Sequence, residues 1–364
     1  MGRKTMLLII LSLLLTGCGS SVVPKQKSAT TPPVFRPAEF AELKQHLVRD
    51  LHTRFAWTTD KTAPVPEQRW IYDDALGILA FTLEGDQKAA AAVLTNLQQR
   101  QNKEGSLNFF YSTSNKPVER YVRSGALAWV GYAAACYRRE FGDPSFDGFT
   151  DKIADYLCQK GAATGKVSGG EGSYAGGKYS GGSVEWYSTE HNIDTYFFFR
   201  ELGRTRGSKQ YSAVADRLAI TLQKEFWNEE GKYFQIGSND RNCTLDTITW
   251  GGLFALNQGD LKKAGFLEDR LKEFQITSNN PVRGAAQKTL TGFAMDKPSA
   301  GKTVSTEDIW LEGSWGAVLF LLRSGQDVMP LVHSLEGVHR VSKASISDVA
   351  WGYLILQDNK FLWR

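Results

Sequence analysis

STEHNIDTYFFFRELG, residues 188–203, places an acid, a histidine, an amide and a second acid within five residues, directly ahead of the aromatic run 196–199. A helix written this way is more apolar all round than a surface helix and carries its polar groups mainly at its start, which predicts burial on most sides. Glu190 by itself decides nothing, because an acid in a first turn is also favoured by the helix dipole. Its meaning depends on where the helix sits in the chain.

Five other stretches repeat the pattern: residues 72–83 (YDDALGILAFTL), 121–137 (YVRSGALAWVGYAAACY), 245–256 (LDTITWGGLFAL), 312–322 (EGSWGAVLFLL) and 347–356 (SDVAWGYLIL). They alternate with residues 37–54, 86–101, 145–160, 209–226, 260–274 and 326–335, each apolar on one face with a 3.6-residue period and charged on the other. Trp129, Trp250, Trp315 and Trp351 each lie in an inner stretch with a glycine within two residues, which lets inner helices approach closely around a crowded axis. Six outer helices alternating with six inner ones predict an all-α fold, an (α/α)6 toroid of six helical hairpins. A superhelical solenoid is the alternative, since it too is built of helix pairs. Strand signals are confined to short stretches such as residues 232–236.

The chain begins MGRKTMLLIILSLLLTGCGSS, with Arg3 and Lys4 ahead of an apolar run too short to span a bilayer. Residues 1–17 therefore read as a signal peptide. The ending Leu15-Thr16-Gly17-Cys18 resembles the bacterial lipobox, which implies cleavage before Cys18 and lipidation of its thiol. Gly19 after the cysteine implies anchoring in the outer membrane, so the expected location is the cell envelope, facing the periplasm. Residues 18–36, rich in Ser, Thr, Pro and Lys, read as a flexible tether, and residues 37–364 as one toroid domain.

Loss of Arg3 and Lys4 takes the formal charge from +4 to +2, which gives no argument for a nucleic-acid partner. Cys136, Cys158 and Cys243 remain, an odd number for an oxidising compartment. A Cys136 to Cys158 bridge stays open, whereas a dense disulfide framework does not. No Cys or His cluster has zinc-ligand spacing, and neither Gly-x-Ser-x-Gly nor a phosphate-cradling loop occurs, so neither metal nor cofactor is expected.

The hairpin arrangement resembles the six-hairpin glycosidase superfamily, over roughly residues 37–364. Its carriers are Tyr72-Asp73-Asp74-Ala75-Leu76, Ser188-Thr189-Glu190-His191-Asn192-Ile193-Asp194 and Glu312-Gly313-Ser314-Trp315-Gly316. The resemblance implies a carbohydrate-active protein with an oligosaccharide or exopolysaccharide partner. Fold analogy alone does not assign the chemistry, so it is argued from the residues.

In such a ring the starts of the inner helices surround a single mouth. Asp73, Asp74, Glu190, Asp194, Asp246, Glu307, Asp308, Glu312 and Asp348 would meet there. Glycoside hydrolysis needs one carboxyl that keeps a proton for the leaving oxygen and one that is ionised to activate water or attack the anomeric carbon. Glu190, opening the most apolar inner helix, is the expected general acid. Asp74 is the expected base, with Asp246 and Glu312 in reserve. Asp194, one turn beyond Glu190, would orient the acid or raise its pKa, or else pair with a neighbouring helix. Asp73 points about 100° away from Asp74, so only one of the two enters the cleft.

Arg123 and His191 are expected to contact substrate, and His191 with Tyr187 could instead serve as a lyase-type base. Trp186 and Trp310, just ahead of inner helices, are the best candidates for stacking on sugar rings. A polysaccharide lyase and a non-catalytic glycan-binding lipoprotein of export or assembly are the alternative functions. Residues 161–183, GAATGKVSGGEGSYAGGKYSGGS, are too glycine-rich for a helix and are either a lid or disordered. Residues 279–306 form a second long connection at the same rim.

Overall fold

A computed structural model of the chain describes residues 35–58, 60, 62, 67–113, 118–278, 289–299 and 305–363. The signal peptide, Cys18, most of the tether and most of the 279–306 connection lie outside the described residues.

In chain order the α-helices are α1 (Ala41–Arg54), α2 (Ile71–Glu84), α3 (Gln87–Gln99), α4 (Ser124–Phe141), α5 (Asp147–Gln159), α6 (Thr189–Arg206), α7 (Lys209–Thr221), α8 (Leu245–Asn257), α9 (Leu261–Leu271), α10 (Leu311–Arg323), α11 (Met329–Val341) and α12 (Ile346–Asp358). The even-numbered helices are the inner set. They neighbour one another in the order α2, α4, α6, α8, α10, α12, and α12 packs back against α2. That last contact closes the ring, and a solenoid would leave these two helices apart. Each inner helix also packs against an outer one, with α1 completing the outer layer on α12.

Local chemistry sets where the helices begin and end. Ser188, Ser208 and Ser345 cap α6, α7 and α12, and Asp86 and Asp260 cap α3 and α9, each through a side-chain oxygen that accepts a first-turn N–H. Gly85, Gly142 and Gly207 end α2, α4 and α6 in the left-handed conformation. An outer helix runs back between every two inner ones, so all six inner helices start at one rim. The interior is aromatic: Trp315, Trp351, Tyr132, Phe197, Phe198 and Phe199 are all fully buried.

Short antiparallel strands dress the same rim. β1 (Gln68–Trp70) pairs with β2 (Phe110–Ser112), and β3 (Val122–Arg123), β4 (Gly170–Ala175) and β5 (Lys178–Val184) form one sheet. Further round, β6 (Trp227–Asn228) pairs with β7 (Tyr233–Phe234), the stretch expected to form a local hairpin, and β8 (Gln275–Ser278) pairs with β9 (Leu290–Phe293). The glycine-rich 161–183 segment is thus ordered, with β4 and most of β5 inside it. Gly176 and Gly177, at φ 54° and 76°, form the two-residue turn of a hairpin whose Tyr174 and Tyr179 pair across the strands. Cys136, Cys158 and Cys243 are all free thiols, so the bridge left open for Cys136 and Cys158 is not formed.

Candidate active site

The starts of α2, α4, α6 and α10 enclose a cavity of about 270 Å³ lined by Tyr72, Phe109, Arg123, Ala126, Trp129, Glu190, His191, Asp194 and Glu312. Asp246 stands behind Glu190 from α8, and the two carboxyls are hydrogen-bonded to each other. Acids from three inner helices, far apart in sequence, therefore meet at one place. A broader groove of about 990 Å³ begins beside Glu312, where Asp348 accepts the Glu312 backbone N–H at 2.9 Å. Trp310, Glu307, Asp308 and Lys343 line that groove.

Burial dominates the electrostatics of the cluster. Glu190 is pushed well above the ordinary carboxyl range, first by desolvation and then by the charges of Asp246, Asp194 and Glu312. Asp194 is pushed up likewise by burial, against the indole N–H groups of Trp250 and Trp129 that favour its ionised form. Trp250 Nε1 donates to Asp194 Oδ1 at 3.2 Å. Burial also raises Asp246, although Thr244 Oγ1, the Thr247 N–H and Glu190 oppose the rise by donating to it.

Glu312 sits at about 7, raised by desolvation and held back by hydrogen bonds from Tyr72 and Ser347. Tyr72 Oη donates to Glu312 Oε1 at 2.6 Å and accepts from Trp351 Nε1 at 2.9 Å. At neutral pH the cluster thus holds protons on some members while Glu312 is poised between its two states. His191 is driven down to about 4 by burial and by Arg123, so it is neutral, and its Nδ1 is buried without a partner among the described residues.

The expected base does not reach this cavity. Asp74 is fully buried in an ion pair with Arg69 and accepts a hydrogen bond of 2.6 Å from Tyr111 Oη. Asp74 therefore serves the structure, because both of its oxygens are occupied and no water-accessible surface remains. Asp73 is half-buried beside the cavity and raised to about 7 by desolvation, Asp74 and Glu312, yet it is not among the lining residues. Tyr72, one position earlier on the helix, takes the place in the cavity that the sequence reading gave to one of the two aspartates.

Arg123 and His191 both line the cavity. Arg123 stacks over Tyr121 at 4.0 Å and donates to the Gly172 carbonyl, which ties β4 to the mouth. Trp186 is exposed and stands edge-on to His191 at 6.5 Å, outside the lining; Trp310 belongs to the larger groove; Tyr187 lies under Lys166. Phe109, Trp129 and Tyr72 were not picked out as site residues. Tyr72 carried a signal, since it opens an inner stretch beside two acids, whereas nothing in the residues around Phe109 separates it from core.

Gly125 makes the cluster possible. A β-carbon there would meet the His191 ring at 2.4 Å and Asp194 Oδ2 at 3.1 Å. Gly125→Ala is expected to push both side chains out of place. Helicity should be kept while the histidine's ring signals shift in NMR spectra, and unchanged signals would contradict this packing.

No protein-family model matches the chain, and no curated protein matches it either. Solved structures do. A glycosidase variant in complex with glucose superposes with a TM-score of 0.58 at 13% identity, covering 90% of this chain and 99% of that one. The β-1,3-1,4-glucanase from Paenibacillus sp. X4 gives 0.58 at 10% identity, over 90% and 94% of the two chains. The cellobiose 2-epimerase from Bacillus thermoamylovorans gives 0.56 at 10% identity, over 84% and 89%. At such identities the likeness is one of fold, and the chain has the six-hairpin glycosidase-like fold, an (α/α)6 toroid.

Proposed function

We propose that the protein is a carbohydrate-active enzyme that hydrolyses a glycosidic bond in an oligosaccharide or polysaccharide. The observation that carries this reading is the meeting of Glu190, Asp194 and Glu312 in one cavity, with Asp246 bonded behind Glu190. Glu190, held protonated by burial and by its acidic neighbours, gives its proton to the leaving oxygen. Glu312 is the carboxylate that activates water or attacks the anomeric carbon, and Tyr72 fixes its orientation. Asp246 and Asp194 keep the proton on Glu190 by like-charge proximity. Phe109 and Trp129 supply apolar faces for a sugar ring.

Hydrolysis is favoured over lyase chemistry because the cavity offers three carboxyls and a single histidine. The cation that a lyase needs beside a uronate is scarce there: Arg123 has part of its donor capacity tied to Val122 and Gly172. Lys178, in β5, is exposed and does not line the cavity.

The test is reducing-end release from a panel of neutral and uronate-containing glycans, comparing wild type with Glu312→Gln. Wild type is expected to release new ends and the variant to lose at least 10²-fold in rate. Unsaturated, ultraviolet-absorbing products would overturn the reading. The rate for wild type should rise with pH through about 7 as Glu312 ionises, and fall again at higher pH as Glu190 loses its proton.

Glu312 also links pH to stability. Its folded pKa of about 7 lies above the ordinary 4.5, so the folded state binds the extra proton between these values and stability falls as pH rises through that window. At about 1.4 kcal/mol per unit, Glu312→Gln should gain up to about 3 kcal/mol over wild type at pH 8 and nothing below pH 4.5. Equal stabilities at pH 8, measured by urea unfolding, would argue against a strained carboxyl.

We also propose that Cys18 carries a lipid anchor holding the enzyme in the cell envelope, a reading supported by the leader and the Leu-Thr-Gly-Cys sequence. Cells fed labelled palmitate should label the wild-type protein and not Cys18→Ser. Equal labelling of both would refute the anchor.

A further inference from the structure

The rim opposite the carboxyls is closed by the residues that follow α12. There the chain turns back and sends Trp363 into the ring axis, where it is 3% exposed. Its indole stacks on Phe197 with centroids 4.6 Å and planes 8° apart, and it stands 5.3 Å from Trp129, 5.3 Å from Trp250 and 6.1 Å from Trp351. Its backbone takes φ 50°, a conformation that a bulky residue adopts only when its surroundings impose it. The surroundings are specific. The Trp363 N–H donates to Tyr132 Oη at 2.6 Å, and the Arg323 guanidinium donates to the carbonyls of Asn359 at 2.9 Å, of Trp363 at 3.3 Å and of Leu362.

Trp363 separates two cavities. On its outer side it lines a depression of about 270 Å³ with Leu253, Leu256, Asn257, Arg323 and Lys360. On its inner side it touches Trp129, which lines the carboxyl cavity. The three tryptophans it contacts are also those that hold the site. Trp250 donates to Asp194, Trp351 donates to the Tyr72 hydroxyl that in turn donates to Glu312, and Trp129 stands edge-on to Tyr72 at 5.6 Å.

We propose that Trp363 is a positioning residue: it plugs the axis of the ring and braces the layer of Trp129, Trp250 and Trp351, which makes the carboxyl cavity blind at its floor and keeps water from entering behind the acids. This rests on the reading of that cavity as the reactive one. The consequence is electrostatic as well as steric. Desolvation is the leading cause of the raised pKa values of Glu190, Asp194 and Glu312, and a wet axis would remove part of it. Glu312 faces Tyr72 and Asp73 from α2, Asp348 from α12, Asp246 from α8 and Glu190 and Asp194 from α6, so its titration reports on the whole cluster.

The test uses the whole protein labelled with ¹⁵N in tryptophan and ¹³C at glutamate carboxyls, read by NMR. In wild type the indole N–H groups of Trp250 and Trp351 are expected to exchange slowly, and Glu312 to titrate near 7. Trp363→Ala should speed both exchanges at least 10-fold and lower the Glu312 midpoint by a unit or more, while Trp363→Phe keeps most of both properties. Arg323→Met keeps every aromatic ring but releases the carbonyls of Asn359, Leu362 and Trp363, so it should loosen the seat of Trp363 and move both readouts in the same direction as Trp363→Ala. Fast indole exchange in wild type would overturn the proposal outright. So would unchanged exchange and titration in folded Trp363→Ala, or in Arg323→Met should the alanine variant not fold. Neither readout needs a substrate, so a failure to cleave glycans and a failure of the plug are distinguishable.

Discussion

Glu190→Gln is expected to slow glycan cleavage by about 10²- to 10⁴-fold while binding changes no more than a few-fold. The amide keeps the size and hydrogen-bonding shape of a protonated glutamic acid, so the bond to Asp246 and the packing against Asp194 survive. What it removes is the transferable proton. An interaction made only in the transition state shows as a fall in kcat with KM little changed, and that is the pattern expected here. A leaving group that needs no protonation, such as a nitrophenolate, should recover most of the lost rate. Full activity of Glu190→Gln on natural linkages would remove Glu190 from the chemistry. A rise in KM with kcat intact would make it a substrate ligand instead.

Arg69→Met is expected to cost about 3–5 kcal/mol of folding stability, because it strands the carboxylate of Asp74 in the interior. The guanidinium is held between Phe55 and Trp57, each centroid 4.7 Å from Cζ, and it meets Asp74 where neither side chain is open to water. Tyr111 Oη donates to the other carboxylate oxygen. The double variant Arg69→Met with Asp74→Leu should recover much of the loss, since a buried ion pair replaced by apolar groups is often close to neutral. Urea unfolding at neutral pH measures both. A loss below about 1 kcal/mol in the single variant would show that Asp74 finds water or another partner, and would reopen a place for it at the mouth.

These two residues mark how far the sequence could be read. Helix alternation was legible because the inner helices are apolar all round, a signal that survives any error in helix boundaries. Convergence of the acids followed from the ring, since every inner helix starts at one rim. Phase was not legible. Asp73 and Asp74 differ by 100° of helix rotation, and Arg69, in β1 just ahead of α2, decides that Asp74 turns inward to an ion pair while Tyr72 faces the cavity.

The hairpin within 161–183 was hidden for a different reason. Glycine density argues against helix, but it does not distinguish a mobile loop from a tight hairpin until the pairing of Tyr174 with Tyr179, and of β4 with β3, is known. Trp363 was invisible for a similar reason. A residue beyond the last helix gains its role only from the axis it enters.

Products formed in H₂¹⁸O test the central claim most directly. Incubating the wild-type enzyme with a cleaved glycan and weighing the fragments by mass spectrometry should find one ¹⁸O at each new reducing end, lost together with activity in Glu190→Gln. Fragments bearing an unsaturated sugar, or an isomerised sugar with its glycosidic bonds intact, would contradict hydrolysis by carboxyls gathered at the mouth of the ring.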